Sequence, residues 1–279
     1  MHVKIWGCRG SLPTTGPDTL RYGGDTACVE VNAADGSLII LDAGTGIRSL
    51  GISLQRDLPR TVHLLFTHLH LDHLIGFGFF APLWSETVDI HIWGPPSPFR
   101  SFEELLVRYV SPPLFPVHIG DMPSHLTIHD VTAEQWQVGS ATISADPVQH
   151  QGPTIGYRIS ENGRSLAYLP DHEPARGADL TEKDPDWLSG NALAQDVDVL
   201  IHDAQYTKGE YQQRVGWGHS SVEDVVKFAH LTRAKHLIMF HHDPLHGDDQ
   251  LDSLQREARS LARDGLTADL AREFMEFDL

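Results

Sequence analysis

The sequence contains little cysteine: only Cys8 and Cys28 among 279 residues. Two cysteines cannot build a disulfide framework, and free thiols suit a reducing compartment. Long apolar runs are also missing, since no stretch approaches the ~20 apolar residues that span a membrane. The first ten residues lack the basic start, the apolar centre and the small-residue cleavage site of an export signal. These absences predict a cytoplasmic protein without a membrane partner.

Positive charge is also scarce. There are 21 lysines and arginines against 38 aspartates and glutamates, and the formal net charge is −17. A broad basic surface for nucleic-acid backbones is therefore not expected. Bound divalent cations and local basic clusters can still reverse the sign of the charge inside a cleft. Nucleic acid is thus a partner that the composition does not favour, although a cationic cleft would allow it.

Strand and helix patterns alternate along the chain, which places it in the α/β class. Apolar alternation and turn signals predict strands over 3–6, 27–32, 37–41, 62–67, 127–130, 135–138, 141–147, 154–160, 165–169, 199–202 and 236–240. Helices are predicted over 74–84, 102–109, 221–230 and 248–263, and the first of them is apolar enough to be buried. Two blocks of strands followed by helices indicate two packed β-sheets with helices outside. Because no linker or repeat interrupts the pattern, we expect residues 1–279 to form one domain.

Two features have two interpretations each. Residues 94–125 are rich in proline and pass through Ser111-Pro-Pro-Leu-Phe-Pro116, which cannot be regular structure. This segment is either a lid or flank of a functional site, or a surface excursion. Asp42 follows a predicted strand and precedes Ala-Gly-Thr-Gly, so it either supports a metal-binding histidine or forms a turn.

Histidine is abundant, with 18 copies, and many of them lie at strand ends. The strongest pattern is Thr67-His-Leu-His-Leu-Asp-His73, directly after an apolar strand. In extended backbone His68 and His70 project to the same side, so both imidazoles can bind one ion. Asp72 and His73 follow where the chain turns into a helix, and they point at a neighbouring position. The run therefore provides two half-sites for metal ions.

The remaining donors must come from distant loops, because a stable ion needs more ligands than either half-site offers. Each of three candidates follows a predicted strand and precedes a turn: His150, Asp171 and His241. His172 and His242 adjoin two of these donors and are the alternatives to them. The combined donor set predicts two divalent cations; it suits zinc, and manganese or iron accept the same nitrogen and oxygen donors.

The run His68-x-His-x-Asp-His73 is similar to the signature of the metallo-β-lactamase superfamily. Gly7-Cys-Arg-Gly-Ser-Leu-Pro13, Tyr22-Gly-Gly-Asp-Thr-Ala-Cys28 and Leu41-Asp-Ala-Gly-Thr-Gly46 resemble the opening of its phosphodiesterase branch. That branch includes ribonuclease Z and the cyclic phosphodiesterase of phosphonate breakdown. The resemblance covers nearly the whole chain and implies a four-layer αββα sandwich with metals at one edge. It also implies the ligand sets: His68, His70 and His150 on one metal, Asp72, His73 and His241 on the other, and Asp171 bridging both.

Two further segments resemble ribonuclease Z. Val199-Leu-Ile-His-Asp-Ala-Gln-Tyr-Thr207 is similar to the segment that carries His-Glu-Ala-Thr in that family, with Asp203 in place of the glutamate. Trp217-Gly-His-Ser-Ser221 is similar to its His-Ser-Thr segment. The resemblance implies that Asp203 orients His219 and that His219 stabilises or protonates the leaving oxygen. The shorter aspartate changes the reach of this dyad, and capping the next helix is the alternative role for His219.

The function implied is binuclear metal-dependent hydrolysis of a small nucleotide-like or cyclic phosphodiester by a metal-bridging hydroxide. Asp72, Asp203 and His219 are the expected catalytic residues. Asp171 stands where the β-lactamases of the superfamily usually carry cysteine, so hydrolysis of lactams is not expected.

Three alternatives stay open: an RNA-processing endoribonuclease of the ribonuclease Z type, a hydrolase of a thioester or lactone, and a metal-binding protein without hydrolysis. Ribonuclease Z grips transfer RNA with a protruding basic arm, and this sequence has no such insertion. That difference favours a small substrate. A homodimer is the expected assembly if the protein associates, because dimers are the commonest soluble oligomers.

Overall fold

Fourteen strands form two β-sheets in the computed structural model, which describes residues 1–279 apart from the side chain of Pro185. The first sheet contains β1 His2–Gly7, β2 Cys28–Asn32, β3 Leu38–Leu41, β4 Thr61–Leu65, β5 Asp89–Gly94, β6 His125–Asp130 and β14 Glu276–Asp278. The second contains β7 Glu134–Val138, β8 Ala141–Pro147, β9 Ile155–Glu161, β10 Arg164–Leu169, β11 Val199–Asp203, β12 His236–Phe240 and β13 Thr267–Leu270. Their orders are β14-β1-β2-β3-β4-β5-β6 and β13-β12-β11-β10-β9-β8-β7. Strands β3 to β6 and β10 to β13 run parallel, and the other pairs are antiparallel.

The described chain also has seven α-helices: α1 Gly46–Leu54, α2 Leu71–Leu74, α3 Phe102–Tyr109, α4 Asn191–Ala194, α5 Lys208–Tyr211, α6 Val222–Leu231 and α7 Asp248–Leu261. One apolar layer joins α1 and α3 to the first sheet, a second joins α4, α6 and α7 to the other sheet, and a third lies between the sheets. These layers confirm the predicted αββα sandwich. Among the described helices, none has the length and apolar composition that crossing a bilayer requires.

The alternation of side chains in β5 shows how the sequence directs this packing. Ile90 and Ile92 belong to the layer between the first sheet and its helices, whereas Trp93 packs against the layer between the sheets. Because successive strand residues face opposite sides, a shift of register by one residue would turn both isoleucines away from the helices and toward the layer between the sheets. The buried pattern therefore fixes which face of the sheet meets the helices.

Both chain ends lie at one edge of the first sheet. Strand β14 pairs with β1, with Phe277 opposite Val3. The ammonium group of Met1 lies 3.5 Å from the Glu161 carboxylate and donates a hydrogen bond to the carbonyl of Leu279 at 3.3 Å. The first strand thus acquires its outer neighbour from the last residues of the chain.

The helix predicted over 74–84 is wrong. In its place the chain forms α2 and then two 3₁₀ turns, Phe77–Phe79 and Ala81–Trp84. A side chain at Gly76 would meet a backbone carbonyl oxygen at 2.0 Å, and Pro82 lacks the N–H that a continuous helix needs. The expected burial also fails in part, because Phe79 is 63% exposed.

Three histidines form a stack on neighbouring strands of the first sheet. The rings of His63 and His91 are 4.9 Å apart, and those of His91 and His129 are 5.4 Å apart. The His63 Nδ1 atom is buried without a hydrogen-bond partner. Burial, assisted by the two neighbouring imidazoles, lowers the pKa of His63 to about 4. The folded chain therefore resists protonation of this ring.

We expect the stack to make folding less stable in acid. Because the pKa of His63 is lower in the folded chain, its contribution is complete above the unfolded pKa of about 6.5 and is lost as the pH falls toward 4. Solvent around the half-buried ring limits the loss to about 1–2 kcal/mol. Urea unfolding at pH 7 and pH 5 should show a smaller pH effect in His63→Leu than in the wild type. The variant His118→Leu, which alters an exposed histidine, is the control, and equal pH effects in all three proteins would contradict the prediction.

Candidate metal centre

The histidine run lies where β4 ends and α2 begins. His70 has extended backbone at the start of α2, and Asp72 and His73 lie within that helix. The rings of His68 and His70 are 4.4 Å apart, so the two side chains meet as the extended run predicts. The change from extended to helical backbone directs Asp72 and His73 to the neighbouring position.

The first donor group joins both sheets. His68, His70, His150 and Asp171 each offer one atom within 4.8 Å of the others. His150 Nε2 lies 3.2 Å from His70 Nδ1 and 3.5 Å from Asp171 Oδ1. Three nitrogens and one carboxylate oxygen at this spacing form a donor set that zinc accepts.

The second donor group lies on the other side of Asp171. It contains Asp72, His73 and His241, whose donor atoms also lie within 4.8 Å of one another. Asp171 Oδ2 is 2.9 Å from His73 Nε2, and Asp171 Oδ1 is 3.3 Å from His241 Nε2. Its carboxylate therefore lies beside both groups, where a bridging ligand has to be.

Buried atoms without partners show that these residues fit divalent cations. His68 Nε2, His73 Nε2 and Asp171 Oδ2 lack a hydrogen-bond partner, and the 2.9 Å approach of His73 to Asp171 does not have hydrogen-bond angles. Leaving such buried polar atoms unsatisfied is unfavourable. Coordination of cations would satisfy all three, because neutral imidazoles and carboxylates bind metals through these lone pairs.

The charge of the site also calls for cations. Burial lowers the pKa of His68 well below its usual value and the pKa of His150 to about 4, so both rings are neutral and have lone pairs free to bind a cation. Burial would also lower the pKa of His241, but the Asp171 and Asp72 carboxylates raise it to about 9. The pKa of His73 likewise lies well above its usual value, because neighbouring carboxylates outweigh its burial. The carboxylates of the second group thus attract positive charge to this position.

Four proposed ligands are held through their other ring nitrogen. His73 Nδ1 lies 2.8 Å from the Asp42 carboxylate, and His68 Nδ1 lies 3.0 Å from the Thr67 hydroxyl. The two remaining contacts are His150 Nδ1 with the Gly218 carbonyl at 2.8 Å and His241 Nδ1 with Gln205 Oε1 at 3.1 Å. Such contacts set the tautomer and the ring orientation of ligand histidines.

Asp42 combines the two roles that the sequence allowed. Its backbone φ is +61°, so it forms a left-handed turn after β3, and its carboxylate also supports His73. His241 has the same type of backbone, with φ +62°. Left-handed backbone is unfavourable by about 1–2 kcal/mol for a side-chain-bearing residue. Two strained positions beside one cluster indicate a site that the surrounding fold holds in place.

Asp203 and His219 form a hydrogen-bonded pair, and together with Asp171 and His241 they also offer donor atoms within 4.8 Å of one another, a third possible donor group. His219 Nδ1 lies 2.6 Å from Asp203 Oδ2 and 3.8 Å from Asp171 Oδ1. Backbone N–H groups of His172, Gln205 and Ser220 also donate to the Asp203 carboxylate. Aspartate therefore has sufficient reach for the dyad. His219 does not cap α6, because Ser221 occupies that position.

The loop that carries His219 is anchored by Glu173. The buried Glu173 carboxylate accepts hydrogen bonds from the backbone N–H groups of Gly216 and Gly218, both at 2.9 Å. Gly218 has φ +92°, and a side chain there would lie 2.4 Å from His150 Nδ1. Glycine at this position lets the loop approach His150 while presenting His219.

His172 and His242 lie outside the donor groups of the described residues. His172 Nδ1 lies 2.8 Å from His202 Nε2, and His242 Nε2 lies 2.7 Å from the carbonyl of Ala271. Both rings are fully buried in these contacts. The structure therefore favours His150, Asp171 and His241 over the neighbouring histidines.

Sequence reasoning missed several supporting residues. The backbone N–H of Ser11 donates to Asp72 Oδ2 at 2.7 Å, and the Tyr168 hydroxyl donates to Asp42 Oδ2 at 3.0 Å. Arg9 is completely buried and donates to the carbonyls of Gly23, Asp243 and His246. Ser11 and Arg9 lie in the glycine- and proline-containing N-terminal motif, which was the only signal available for them.

The proline-rich segment forms a flank of the site. A cavity of about 200 Å³ has walls from this segment, including Pro95, Leu105 and Tyr109, and its other residues include His68 and His70. A larger apolar groove of about 750 Å³ shares Tyr109 and continues over α2. Of the two interpretations of residues 94–125, the structure supports the flank.

Comparisons with known proteins agree with the observed fold. A family model described as "Beta-lactamase superfamily domain" matches residues 38–242. Ribonuclease Z of Crocosphaera subtropica is 27% identical to the chain, over 86% of the chain and 88% of that protein. The structure of human tRNase Z, short form, has a TM-score of 0.69 at 21% identity, and the match covers 100% of this chain and 99% of the human chain. The structure of a diphosphatase from the PhnP family has a TM-score of 0.67 at 18% identity, and the match covers 100% of this chain and 97% of the diphosphatase chain. These two structures share the fold.

Proposed function

The chain belongs to the β-lactamase superfamily and is a metal-dependent hydrolase, and from that premise we propose that it cleaves small phosphodiesters. The observation that supports this substrate class best is the Asp203–His219 pair, at 2.6 Å, beside Asp171. A hydrogen-bonded acid–histidine pair next to the metal ligands suits protonation of a departing oxygen. Thioesters have the same metal requirement, but their thiolate leaving group needs this assistance less, and lactones are distinguished from phosphodiesters by direct assay.

We propose that the two donor groups hold two divalent cations. His68, His70 and His150 would bind one ion, Asp72, His73 and His241 the other, and Asp171 both. Zinc is the proposed metal because imidazole nitrogens dominate the set, which zinc prefers over the oxygen-rich sets of magnesium and calcium. When bound, such cations acidify water and neutralise phosphoryl charge.

The residues around the metals have distinct tasks in this proposal. Asp203 fixes the orientation of His219 by engaging its Nδ1 atom, which leaves Nε2 to meet the leaving oxygen. Glu173 holds the loop that presents His219. Asp72 would help to hold the second metal, and its carboxylate is oriented by the Ser11 backbone N–H. These groups are positioned by backbone contacts, which reduces the reorganisation needed during reaction.

A screen of substrates tests the proposal. With zinc and with manganese, we expect turnover of aryl phosphodiesters and cyclic nucleotides to exceed that of precursor transfer RNA. The net charge of −17 disfavours a long RNA, whereas a small diester needs only the cationic cleft. RNA that bound through many phosphates would lose affinity with a log–log salt slope of about −0.7 per contact. We expect a shallow slope.

Two outcomes would contradict this proposal. One is tight, steeply salt-dependent binding of precursor transfer RNA with cleavage at its 3′ end. That result would assign to this chain the activity that the name of the relative ribonuclease Z indicates. Turnover of thioesters or lactones without any diester turnover would remove phosphodiesters as the substrate class. Thioester and lactone substrates therefore belong in the same screen as controls.

We also propose that two copies of the chain associate through the apolar groove beside α2. Leu71, Ile75, Phe79, Trp84 and Leu114 line the groove and are 46–71% exposed. Together they expose roughly 600 Å², at about 200 Å² for each fully exposed large side chain. That area lies at the upper end of the roughly 300–600 Å² covered by the largest apolar patch of a monomer, and it is a large part of the ~800 Å² that each partner buries in a stable interface.

Sedimentation equilibrium is expected to show a dimer that Phe79→Lys converts to a monomer. The lysine would place a charge in the apolar surface, where it lacks a partner. Leu20→Lys is the control, because Leu20 is 80% exposed but lies outside the groove. A monomeric wild-type protein, or an unchanged dimer in Phe79→Lys, would contradict the proposed interface.

A cytoplasmic location is proposed from the cysteines. Cys8 and Cys28 are both buried and free rather than joined in a disulfide. Free thiols suit the reducing conditions of that compartment. Fractionation of cells that produce the full chain tests the location, and recovery outside the cytoplasm would contradict it.

A further inference from the structure

The cavity of about 200 Å³ beside His68 and His70 has a composition that defines what it can bind. Resting on the proposed function, we propose that it binds one uncharged aromatic ring, carried by the substituent that stays on phosphorus during cleavage. The substrate class would then be phosphodiesters with an aryl or pyrimidine-type group on one side. The argument depends on the walls of the cavity, its lining and its position relative to His219.

One wall of this ring cavity is rigid. It comes from the turn at Ser97 and from α3, which contributes Leu105 and Tyr109. A capping box joins Ser101 and Glu104 at the start of α3. The next backbone N–H, that of residue 102, donates to Asp130 Oδ1 at 2.7 Å and joins the helix to the end of β6. A wall held in this way keeps its shape before any ligand binds.

The opposite wall is attached to the metal centre. It comprises Gln151, Gly152 and Pro153, directly after the proposed ligand His150. The Gln151 side chain donates to the carbonyl of Gly216 at 2.5 Å, in the loop that carries His219. The loop that carries His219 therefore also helps to fix the position of this wall, and with it the width of the cavity.

The lining selects against charge. None of the described residues around the ring cavity is a lysine, arginine, aspartate or glutamate. Leu69, Leu105 and Pro153 provide apolar contacts, and Ser97 and Gln151 add polar atoms. A second phosphate or a carboxylate would lose part of its hydration there without gaining a lysine or arginine to neutralise its charge. A cavity of about 150 Å³ holds benzene, so about 200 Å³ suits a single ring with a few further atoms.

The position of His219 decides which substituent enters the ring cavity. His219 is not part of the cavity lining; it lies beside His150, with ring centroids 4.9 Å apart, and stacks on His241. In the proposed function, His219 meets the departing oxygen. The leaving group therefore departs on the His219 side, and the group near His68 and His70 is the one retained.

The test keeps the leaving group constant and changes the retained group. The zinc-loaded protein is assayed with p-nitrophenyl esters of methyl phosphate, phenyl phosphate and thymidine 5′-phosphate, with rates corrected for uncatalysed hydrolysis. We expect kcat/KM for the phenyl and thymidine esters to be at least about 10-fold higher than for the methyl ester, because the methyl ester has no ring to fill the apolar pocket. Equal values for all three esters would overturn the inference while leaving the proposed function intact. No turnover of any ester would instead overturn the proposed function.

Filling the cavity provides the second arm. Leu105→Trp should reduce the phenyl-over-methyl preference to about 2-fold. Glu103→Trp, on the exposed side of the same helix, is the matched control and should keep the full preference. If Leu105→Trp does not fold, Tyr109→Ala replaces it and should reduce the preference by enlarging the cavity. An unchanged preference in a folded variant would overturn the inference.

Binding without turnover gives an independent measurement. Calorimetry with phenyl phosphate and methyl phosphate should show about 10-fold tighter binding of the phenyl compound by the wild type and by Glu103→Trp, but not by Leu105→Trp. Inhibition by thymidine 5′-phosphate and by the tetranucleotide dT4 separates a free small molecule from a nucleic-acid strand. We expect the mononucleotide to inhibit at least as well as the strand, and stronger inhibition by dT4 would overturn the small-molecule assignment.

Discussion

Replacing His219 by alanine is expected to lower kcat by about 10²–10⁴ while metal content stays at the wild-type value. The reason is its position: His219 is fixed by Asp203 at 2.6 Å and is proposed to serve the departing oxygen rather than a metal. The deficit should be small for nitrophenolate, which leaves without protonation, and large for alkoxide leaving groups. Elemental analysis and a series of leaving groups measure both effects.

His118→Ala, which removes an exposed histidine, is the control for this experiment and should behave as wild type. Asp203→Asn should share most of the deficit of His219→Ala, because an amide no longer selects the same tautomer of the ring. Loss of metal from His219→Ala would move His219 into the ligand set. A deficit of the same size for every leaving group would remove it as the proton donor.

Asp171→Ala is expected to lose both metals, and activity with them. Its carboxylate lies within 3.5 Å of His150, His73 and His241, so it contacts both donor groups. His150→Ala should chiefly weaken one ion, because His150 belongs only to the first group. Metal-to-protein ratios after dialysis, near two in the wild type, near one in His150→Ala and near zero in Asp171→Ala, would support this division.

A second measurement separates metal loss from unfolding. Circular dichroism of Asp171→Ala should retain the wild-type secondary structure, since the αββα layers are held by apolar contacts away from the site. Equal metal loss in Asp171→Ala and His150→Ala would argue against a bridging role for Asp171. One ion per wild-type chain under metal-replete conditions would contradict the binuclear proposal.

The metal centre could be predicted from sequence because its signals are local. His68, His70, Asp72 and His73 lie in one run, and strand periodicity already places two of them on one side. His150, Asp171 and His241 each follow a strand, so their convergence required only that the strand ends meet. The assembled clusters agree with these expectations, whereas catalytic roles stay predictions until the variants are measured.

The supporting contacts could not be predicted, because they depend on tertiary approach. Ser11 reaches Asp72 through a backbone N–H, which carries no side-chain signal. Arg9 resembles any surface arginine in sequence, and only the fold shows that three carbonyls surround it. That residues 1–279 form a single domain also stays a prediction, which limited proteolysis would test.

The errors in secondary structure have related causes. Helix α1 was missed because Gly46 and Gly51 weaken its helical signal, yet Gly51 lies where a side chain would meet backbone nitrogen at 2.7 Å. Strands β5, β13 and β14 were missed. Of these, β13 and β14 are short and are defined by their neighbours in the sheet. Helix 74–84 was predicted from apolar composition alone. That composition does not show that the backbone at Gly76 lies against the carbonyl of Gly44, where the regular helix is interrupted.

The pairing of β14 with β1 has a consequence for synthesis on the ribosome. The first strand emerges well before its outer neighbour, Glu276–Asp278, has been made. His241 likewise follows the histidine run by about 170 residues, which takes ~10–30 s at usual elongation rates. During that interval the nascent chain exposes an unpaired strand edge, a known route to aggregation, and has only part of the ligand set. In the proposed two-metal centre, complete loading would therefore be a late event, and a ribosome stalled before residue 241 would carry a chain without one of the proposed ligands.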